Sequence, residues 1–185
     1  MSETEKSYDP SLKFNAESEA LPEEIQATLL LKILTYDRSL EDRVKDTIHV
    51  GIVYLAEKDQ SRKNKDAMVE YLKLNQDKTI NGSPFRIMEI KYGTETNLGE
   101  TTKRNDIDVI YVTCGADNVV ESISRLARTH GIMTITGQPS YVNRGLAVGL
   151  GIKEQKPEII INLPSARAEG SDFSSSLLKL CRVIN

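Results

Sequence analysis

Hydrophobic positions recur at regular spacing along the chain from residue 22 onward. Apolar side chains three or four residues apart predict a first helix that starts at Pro22 and buries Ile25, Leu29, Ile33, Tyr36 and Leu40. Short apolar runs rich in Ile and Val predict buried strands near residues 48–55, 85–92, 109–113 and 132–136. Helical stretches lie between these runs. Strands that alternate with helices in this way favour an α/β fold with an open, mostly parallel sheet flanked by helices.

The C-terminal part of the chain departs from this alternation. Residues 146–152 and 159–162 are both strand-like, and a short polar link, residues 153–157, lies between them. A link of this length cannot make a parallel crossover, so we predict a C-terminal antiparallel hairpin. Residues 174–184 then predict a closing helix whose inward face consists of Leu177, Leu178, Cys181 and Ile184.

Charge divides the chain into two parts. Residues 1–24 hold seven acids and two bases, a net charge of −5, whereas the whole chain of 185 residues carries −3. Acidic segments with few core-forming side chains are often mobile. We therefore expect residues 1–21 to form an acidic, flexible N-terminal leader and residues 22–185 to form a single α/β domain. The leader lacks a basic start followed by an apolar stretch, so it does not resemble a signal peptide.

Composition and motifs exclude several classes of function. A net charge of −3 and an isoelectric point near 5.5 argue against a nucleic-acid-binding protein, which is normally basic. No apolar run reaches about 18 residues, so no segment is predicted to span a membrane. Glycine-rich phosphate-binding motifs are absent from the strand-to-helix turns. The two cysteines and two histidines lack metal-ligand spacing, so we predict no metal site and no other cofactor.

The polar loop after the fourth predicted strand, residues 137–145, is the best candidate for a ligand site. Ligands of open α/β sheets bind beyond the carboxyl ends of the strands. Polar donors and one cation in this loop suit a small polar or anionic ligand, which would contact Gln138, Ser140, Tyr141 and Arg144. The alternative is a plain connection between the parallel sheet and the hairpin, with Pro139 and Gly145 as turn residues.

Cys114 is the candidate nucleophile of the sequence. It lies at a predicted strand end near a helix N-terminus, where the pKa of a thiol can be lowered. A thiol-dependent enzyme would use Cys114 together with Gln138. The histidines, His49 and His130, are predicted inside a strand and at a helix end, so neither is placed as its base. We therefore favour Cys114 and Cys181 as free structural thiols rather than a catalytic group or a disulfide.

A motif near the C-terminus resembles the closing motif of the YfiR-like family. A strand ends in Asn162, and small residues follow with Arg167 and Gly170. A serine- and leucine-rich stretch then contains Leu177, Leu178, Lys179 and Leu180. The apolar first helix and the strand near residues 48–55 are compatible with the same family. The resemblance covers residues 22–185.

This resemblance implies a small periplasmic α/β protein without enzymatic activity, secreted with a signal peptide that is later removed. It also implies a protein partner and often a homodimer. The best-known members inhibit a membrane-anchored diguanylate cyclase, an enzyme of cyclic di-GMP signalling, by binding its periplasmic domain. We therefore expect a regulatory protein that binds a partner. A periplasmic small-ligand-binding protein and a thiol-dependent enzyme are the alternatives.

Deletion of residues 1–20 tests the expected leader. Because this segment is acidic and has few core-forming side chains, its removal is expected to lower the melting temperature by no more than a few degrees. Calorimetry of the full chain and the truncated chain measures the change. A large drop would instead mean that Leu12 and Phe14 dock on the rest of the protein.

Overall fold

The computed structural model describes residues 20–93 and 96–185. Residues 1–19 of the expected leader lie outside this part, so the leader and the domain boundary stay predictions. In chain order the elements are α1 (Glu23–Leu34), α2 (Leu40–Arg43), β1 (Ile48–Leu55), α3 (Asp59–Lys73), β2 (Phe85–Tyr92), α4 (Leu98–Arg104), β3 (Val109–Val112), α5 (Val120–His130), β4 (Met133–Thr136), a 3₁₀ helix (Pro139–Arg144), β5 (Val148–Lys153), β6 (Lys156–Asn162), α6 (Leu163–Ala168), α7 (Ser175–Leu178) and β7 (Arg182–Ile184).

The described strands form a seven-stranded sheet in the order β2-β1-β3-β4-β5-β6-β7. The strands from β2 to β5 in this order run parallel, β6 pairs antiparallel with β5, and β7 runs parallel to β6. The predicted open, mostly parallel sheet with a C-terminal hairpin is therefore confirmed. The strand order reverses between β1 and β3, because β2 lies on one side of β1 and the later strands lie on the other.

Helices cover both faces of the sheet and form a buried apolar core on each. On one face, Leu30 of α1 and Met68 of α3 pack in the same cluster as Val50 of β1. On the other face, Ile123 of α5 and Tyr141 of the 3₁₀ helix belong to a second cluster. Each apolar side chain buried in this way contributes roughly 1.5–3 kcal/mol, so these cores hold the helices against the sheet.

The predicted helices at the two ends of the domain are longer than the observed ones. The closing helix α7 ends at Leu178, and Arg182–Ile184 forms β7 instead of continuing the helix to residue 184. The apolar spacing fits a helix, but the open edge of β6 offers backbone pairing to the β-branched residues Val183 and Ile184. The first helix likewise ends at Leu34, and Leu40 belongs to α2.

A buried carboxylate fixes the turn that follows the first helix. Asp37 lies between α1 and α2, and its side chain has 0% exposure. It accepts hydrogen bonds from Ser39 N at 3.1 Å, Arg43 Nη2 at 2.6 Å and Asp172 N at 2.9 Å. A buried carboxylate without such donors would be strongly unfavourable. These contacts therefore hold the turn in place and tie it to the C-terminal segment.

A second buried carboxylate, Glu169, follows α6 and packs against β4. Its oxygens accept hydrogen bonds from Thr134 N and Thr134 Oγ1, both at 2.8 Å. Pairing between β4 and β5 begins only at Ile135 and Val148, so Glu169 bonds to β4 next to the point where the two strands diverge. Burial raises the pKa of Glu169 to about 8 in spite of the donors from Thr134.

The replacement Glu169→Gln is expected to remove a pH-dependent loss of stability. The folded-state pKa of about 8 lies above the ordinary value of 4.5, so the fold favours the protonated carboxyl. This stabilisation is complete below about pH 4.5 and is lost as the pH rises through about 8. The unsubstituted protein should therefore lose stability between about pH 5 and about pH 8, whereas Glu169→Gln should not. The free energy of unfolding of the variant minus that of the unsubstituted protein should increase over this range.

Urea denaturation at the two pH values measures this difference. Glu70→Gln, which changes an exposed carboxyl on α3, is the matched control and should show no such trend. A difference between Glu169→Gln and the unsubstituted protein that stays constant with pH would contradict the assignment.

Candidate functional site

The carboxyl ends of the parallel strands are the place where open α/β sheets bind ligands, above all where the strand order reverses. In this protein the reversal lies between β1 and β3. Residues 56–58 follow β1, residues 113–119 follow β3, and residues 137–138 follow β4 at this end of the sheet. The predicted ligand loop and Cys114 both lie here.

A buried network of polar side chains lies at this end on the face that α1 covers. Tyr111 Oη of β3 donates to Gln26 Oε1 of α1 at 2.5 Å and lies 3.2 Å from Asn64 Oδ1 of α3. Asn64 Oδ1 also accepts a hydrogen bond from Cys114 N at 3.1 Å, and Asn64 Nδ2 donates to Glu23 Oε1 at 3.0 Å. The network joins α1, α3 and the loop after β3.

Gln26 fills the space beyond the end of β4. Its side chain is 2% exposed, and Nε2 donates to Leu21 O at 2.5 Å. A Cβ atom on Gly137 would lie 2.0 Å from Gln26 Oε1, so this approach requires a residue without a side chain at position 137. On the α1 face, the space beyond β3 and β4 is therefore occupied by the protein's own polar groups.

Gln26, Asn64 and Tyr111 are not among the candidate residues predicted from the sequence. The available signal is a polar side chain within an apolar helical stripe. Gln26 lies one turn from Leu30 in α1, and Asn64 lies one turn from Met68 in α3. Such a residue must find a buried partner, but its spacing does not say which one.

The predicted ligand loop forms the 3₁₀ helix and does not gather its side chains around one cavity. Tyr141 is fully buried in the apolar core on the α5 face. Arg144 Nε and Nη2 donate to Glu121 at 2.7 and 2.8 Å, and the guanidinium lies 5.7 Å from the centre of the Tyr141 ring. Gln138 is half-buried and Ser140 is exposed. A ligand-binding role for these residues stays a prediction.

Tyr141 Oη is the unusual atom of this loop. It is buried and has no hydrogen-bond partner within the described residues. Burial raises the pKa of Tyr141, and the negative charge of Asp117 raises it further. The hydroxyl therefore stays protonated at neutral pH and is able to donate a hydrogen bond.

The environment of Cys114 is opposite to the one that a nucleophile needs. Burial raises the pKa of its thiol to about 11, and the charge of Glu23 contributes in the same direction. The lowered pKa that a strand end near a helix N-terminus can give is not found here, because α1 covers the strand end and brings Glu23 close. Cys114 and Cys181 are both half-buried free thiols. His49 and His130 lie at the opposite end of the sheet, where β1 starts and α5 ends.

An open cleft of about 660 Å³ lies at the carboxyl end on the other face of the sheet. Its lining includes Glu57 after β1, Lys91 and Tyr92 at the end of β2, and Asn118 before α5. The size is within the usual range of small-molecule sites, and the walls carry groups of both charges. None of the predicted ligand residues lines it.

Part of the C-terminal motif has a structural role. Asn162 Oδ1 accepts a hydrogen bond from Ser165 N at 3.0 Å and caps α6, while Asn162 Nδ2 donates to Val142 O at 3.1 Å. Gly170 O accepts a hydrogen bond from Ser39 Oγ at 2.6 Å. Leu177 is buried with 3% exposure. These residues anchor the end of the hairpin and α7.

The remaining part of the motif lies at the surface. Arg167 and Lys179 are exposed, Leu178 is half-buried, and Leu180 is 77% exposed. The side chain of Arg167 forms no hydrogen bond and no ion pair with any residue that the structure describes. Leu178 packs against the core, whereas the exposed side chains of Arg167, Lys179 and Leu180 are available to a partner.

Comparison with known families supplies the decisive observation, because the YfiR/HmsC-like family model matches residues 23–182. The chain belongs to the YfiR/HmsC-like family. The resemblance seen in the C-terminal motif is thus confirmed over nearly the whole described part of the chain. A search of curated proteins finds no match.

Solved structures share the fold of this YfiR/HmsC-like protein. A conserved domain protein from Vibrio cholerae is 19% identical with a TM-score of 0.62, and the match covers 89% of this chain and 60% of that one. CD0873, a substrate binding protein with adhesive properties from Clostridium difficile, is 17% identical with a TM-score of 0.61. That match covers 80% of this chain and 57% of CD0873.

An ABC domain in complex with L-Trp from Streptococcus pneumonia is 13% identical with a TM-score of 0.63. The match covers 88% of this chain and 60% of the ABC domain structure. At these identities the likeness shows the fold alone. The chain spans about three fifths of the length of each of the three structures.

Membrane-spanning and metal-binding features are not found in the described residues. No helix in residues 20–93 or 96–185 is both long and apolar enough to cross a bilayer. The same residues contain no cluster of three or more His, Cys, Asp or Glu side chains that could hold a metal ion.

Alkylation kinetics test the assignment of Cys114 as a structural thiol. Because its pKa is raised to about 11, little thiolate is present near neutral pH, and reaction with iodoacetamide is expected to be slower than for free cysteine. Peptide mapping after a timed reaction separates Cys114 from Cys181, and unfolding in urea should accelerate both. Reaction of Cys114 in the folded protein faster than free cysteine would contradict this prediction.

Proposed function

We propose that this YfiR/HmsC-like protein is a periplasmic regulator that acts by binding a protein partner and performs no catalysis. The partner is the periplasmic domain of a membrane-anchored diguanylate cyclase, which the protein inhibits. The observation that carries this proposal is the family match over residues 23–182. A homodimer is compatible with this function and is not required for it.

The chemistry of the carboxyl end supports binding rather than catalysis. Tyr111 bonds to both Gln26 and Asn64, and Asn64 also bonds to Glu23 and Cys114 N, so these polar groups on the α1 face are engaged with one another and with their neighbours in the protein. Cys114, the candidate nucleophile, has a raised pKa. The histidines of the chain lie at the opposite end of the sheet from Cys114.

The exposed part of the C-terminal motif is the proposed partner surface, which consists of Arg167, Lys179 and Leu180. Leu180 is 77% exposed, so most of its apolar side chain is free to contact another protein. Lys179 precedes it in the chain, and Arg167 of α6 is a further exposed cation of the motif. Arginine is one of the residue types that are enriched among the side chains that dominate binding energy at interfaces.

Small-ligand binding is the second candidate function. The cleft of about 660 Å³ favours it, because this cleft lies at the carboxyl ends of β1 and β2, next to the reversal of strand order. A ligand there would be held by groups of both charges, including Glu57 and Lys91.

The proposed surface can be tested with the double variant Arg167→Ala, Leu180→Ala. Both side chains are exposed, so the free energy of unfolding should stay within about 0.5 kcal/mol per substitution of its original value. Binding to the purified periplasmic domain of the host's membrane cyclase should weaken at least about tenfold, as measured by calorimetry. Inhibition of the cyclase in membranes should fall in parallel.

The matched control is Lys73→Ala, Leu74→Ala at the end of α3, because Leu74 is 70% exposed and lies outside the motif. It should bind the cyclase domain as the unsubstituted protein does. Failure of the unsubstituted protein to bind the domain or to inhibit the cyclase would refute the proposed function. Equal weakening by both variants would refute the proposed surface.

A further inference from the structure

A second cleft, here called the amino-end cleft, opens where β1, β2 and β3 begin. Its volume is about 640 Å³, and it lies at the opposite end of the sheet from the carboxyl-end cleft. Its walls come from residues 43–47, the first residues of β1 and β2, the end of α4, and the end of α5. A volume of this size accommodates a small molecule.

Some of the cations in this cleft are already engaged. Arg43 is held by Asp37 at 2.6 Å and donates from Nη1 to Gly131 O at 3.0 Å. Lys45 Nζ lies 3.4 Å from Asp106 Oδ2. These side chains shape the cleft and have their charges balanced within it.

Other cations in the cleft have no partner. Arg86 at the start of β2 and Lys103 in α4 are exposed, and neither side chain forms a hydrogen bond or an ion pair within residues 20–93 and 96–185. Arg86 lies opposite His49 in the β1–β2 pairing, so the two side chains project from the same face of the sheet. His130 also lines the cleft, which thus contains both histidines of the chain.

Among the described residues, the acids that line the cleft form no ion pair with Arg86 or Lys103. Asp108 Oδ2 accepts a hydrogen bond from His49 N at 2.8 Å and lies 3.9 Å from His49 Nδ1. Asp106 is paired with Lys45, and Asp46 is exposed. The cleft therefore holds unpaired charges of both signs, and Arg86 and Lys103 are the cations that remain free to meet an anionic group.

Stabilisation of helix ends does not explain Arg86. A cation in the last turn of a helix offsets the negative end of the helix dipole, and Lys103 in the last turn of α4 fits that role. Arg86 lies on a strand, one residue from its start. Its charge therefore faces the cleft without a structural counterpart.

We infer that the amino-end cleft binds a small molecule with a carboxylate or phosphate group. The planar guanidinium of Arg86 matches the paired oxygens of either group, and Lys103 supplies a second positive charge. His49 and His130 line the same space and provide further hydrogen-bonding nitrogens. This site is separate from the proposed partner surface, and it does not depend on the proposed function.

Proton NMR of the full chain offers a direct test, because the protein has two histidines and both line the cleft. Inorganic phosphate and succinate are titrated separately at constant pH and ionic strength, with chloride as the balancing anion. At least one probe is expected to shift both imidazole Hε1 signals to saturation. The variant Arg86→Gln, Lys103→Gln should weaken that binding at least about tenfold, since it removes charge-assisted hydrogen bonds.

The control variant Lys73→Gln, Lys156→Gln removes the same charge from exposed positions outside the cleft and should change the affinity less than about twofold. Saturation by phosphate alone or by succinate alone assigns the ligand class, and saturation by both assigns a general oxyanion site. The inference is overturned if neither probe gives a saturable shift. It is also overturned if the cleft variant binds as tightly as the unsubstituted protein, or if both variants weaken binding equally.

Discussion

The buried ion pair between Asp37 and Arg43 joins parts of the chain that are distant in sequence. The Asp37 side chain has 0% exposure and receives Arg43 Nη2 at 2.6 Å, and removal of one partner from such a pair leaves an uncompensated buried charge. The same guanidinium donates to Gly131 O at 3.0 Å and Glu169 O at 3.4 Å, at the ends of α5 and α6. One pair of charges therefore fixes the first turn, the end of α5 and the C-terminal motif against one another, and Arg43 also forms part of the wall of the amino-end cleft.

The opposite end of the sheet depends on neutral polar groups instead. Tyr111, Gln26 and Asn64 satisfy one another there, and the missing side chain of Gly137 lets Gln26 close the space beyond β4. Buried polar groups that are fully bonded hold a unique arrangement, because any displacement leaves an unpaired group. The first helix thus covers, on its own face, the region where open α/β sheets bind ligands, and open space at this end remains on the face that α5 covers.

Family membership and this architecture support the same kind of activity. The residues of the C-terminal motif divide between anchors such as Asn162 and Leu177, which stabilise the hairpin and α7, and exposed side chains such as Arg167 and Leu180. A protein that acts by recognition needs such a division, since a rigid base reduces the entropy lost when exposed groups bind. The motif also contacts the amino-end cleft through Arg43, because Glu169 O is one of the acceptors of that guanidinium.

The sequence by itself determined the type and order of most elements, the antiparallel hairpin and the family. Apolar periodicity marks β1 and α3 because each buries a regular face, and the short link before β6 permits only a hairpin. Only the tertiary structure decided where α1 ends and that the chain closes with β7, because Asp37 is held by Asp172 and Ile184 by the open edge of β6.

The residues of the candidate sites were likewise brought together only by the tertiary structure. Tyr111 and Gln26 are 85 residues apart, Cys114 has its raised pKa because the folded chain buries it and brings Glu23 close, and Arg86 lies beside His49 only when β1 and β2 pair. Contacts between residues so far apart leave no periodic pattern in a single chain.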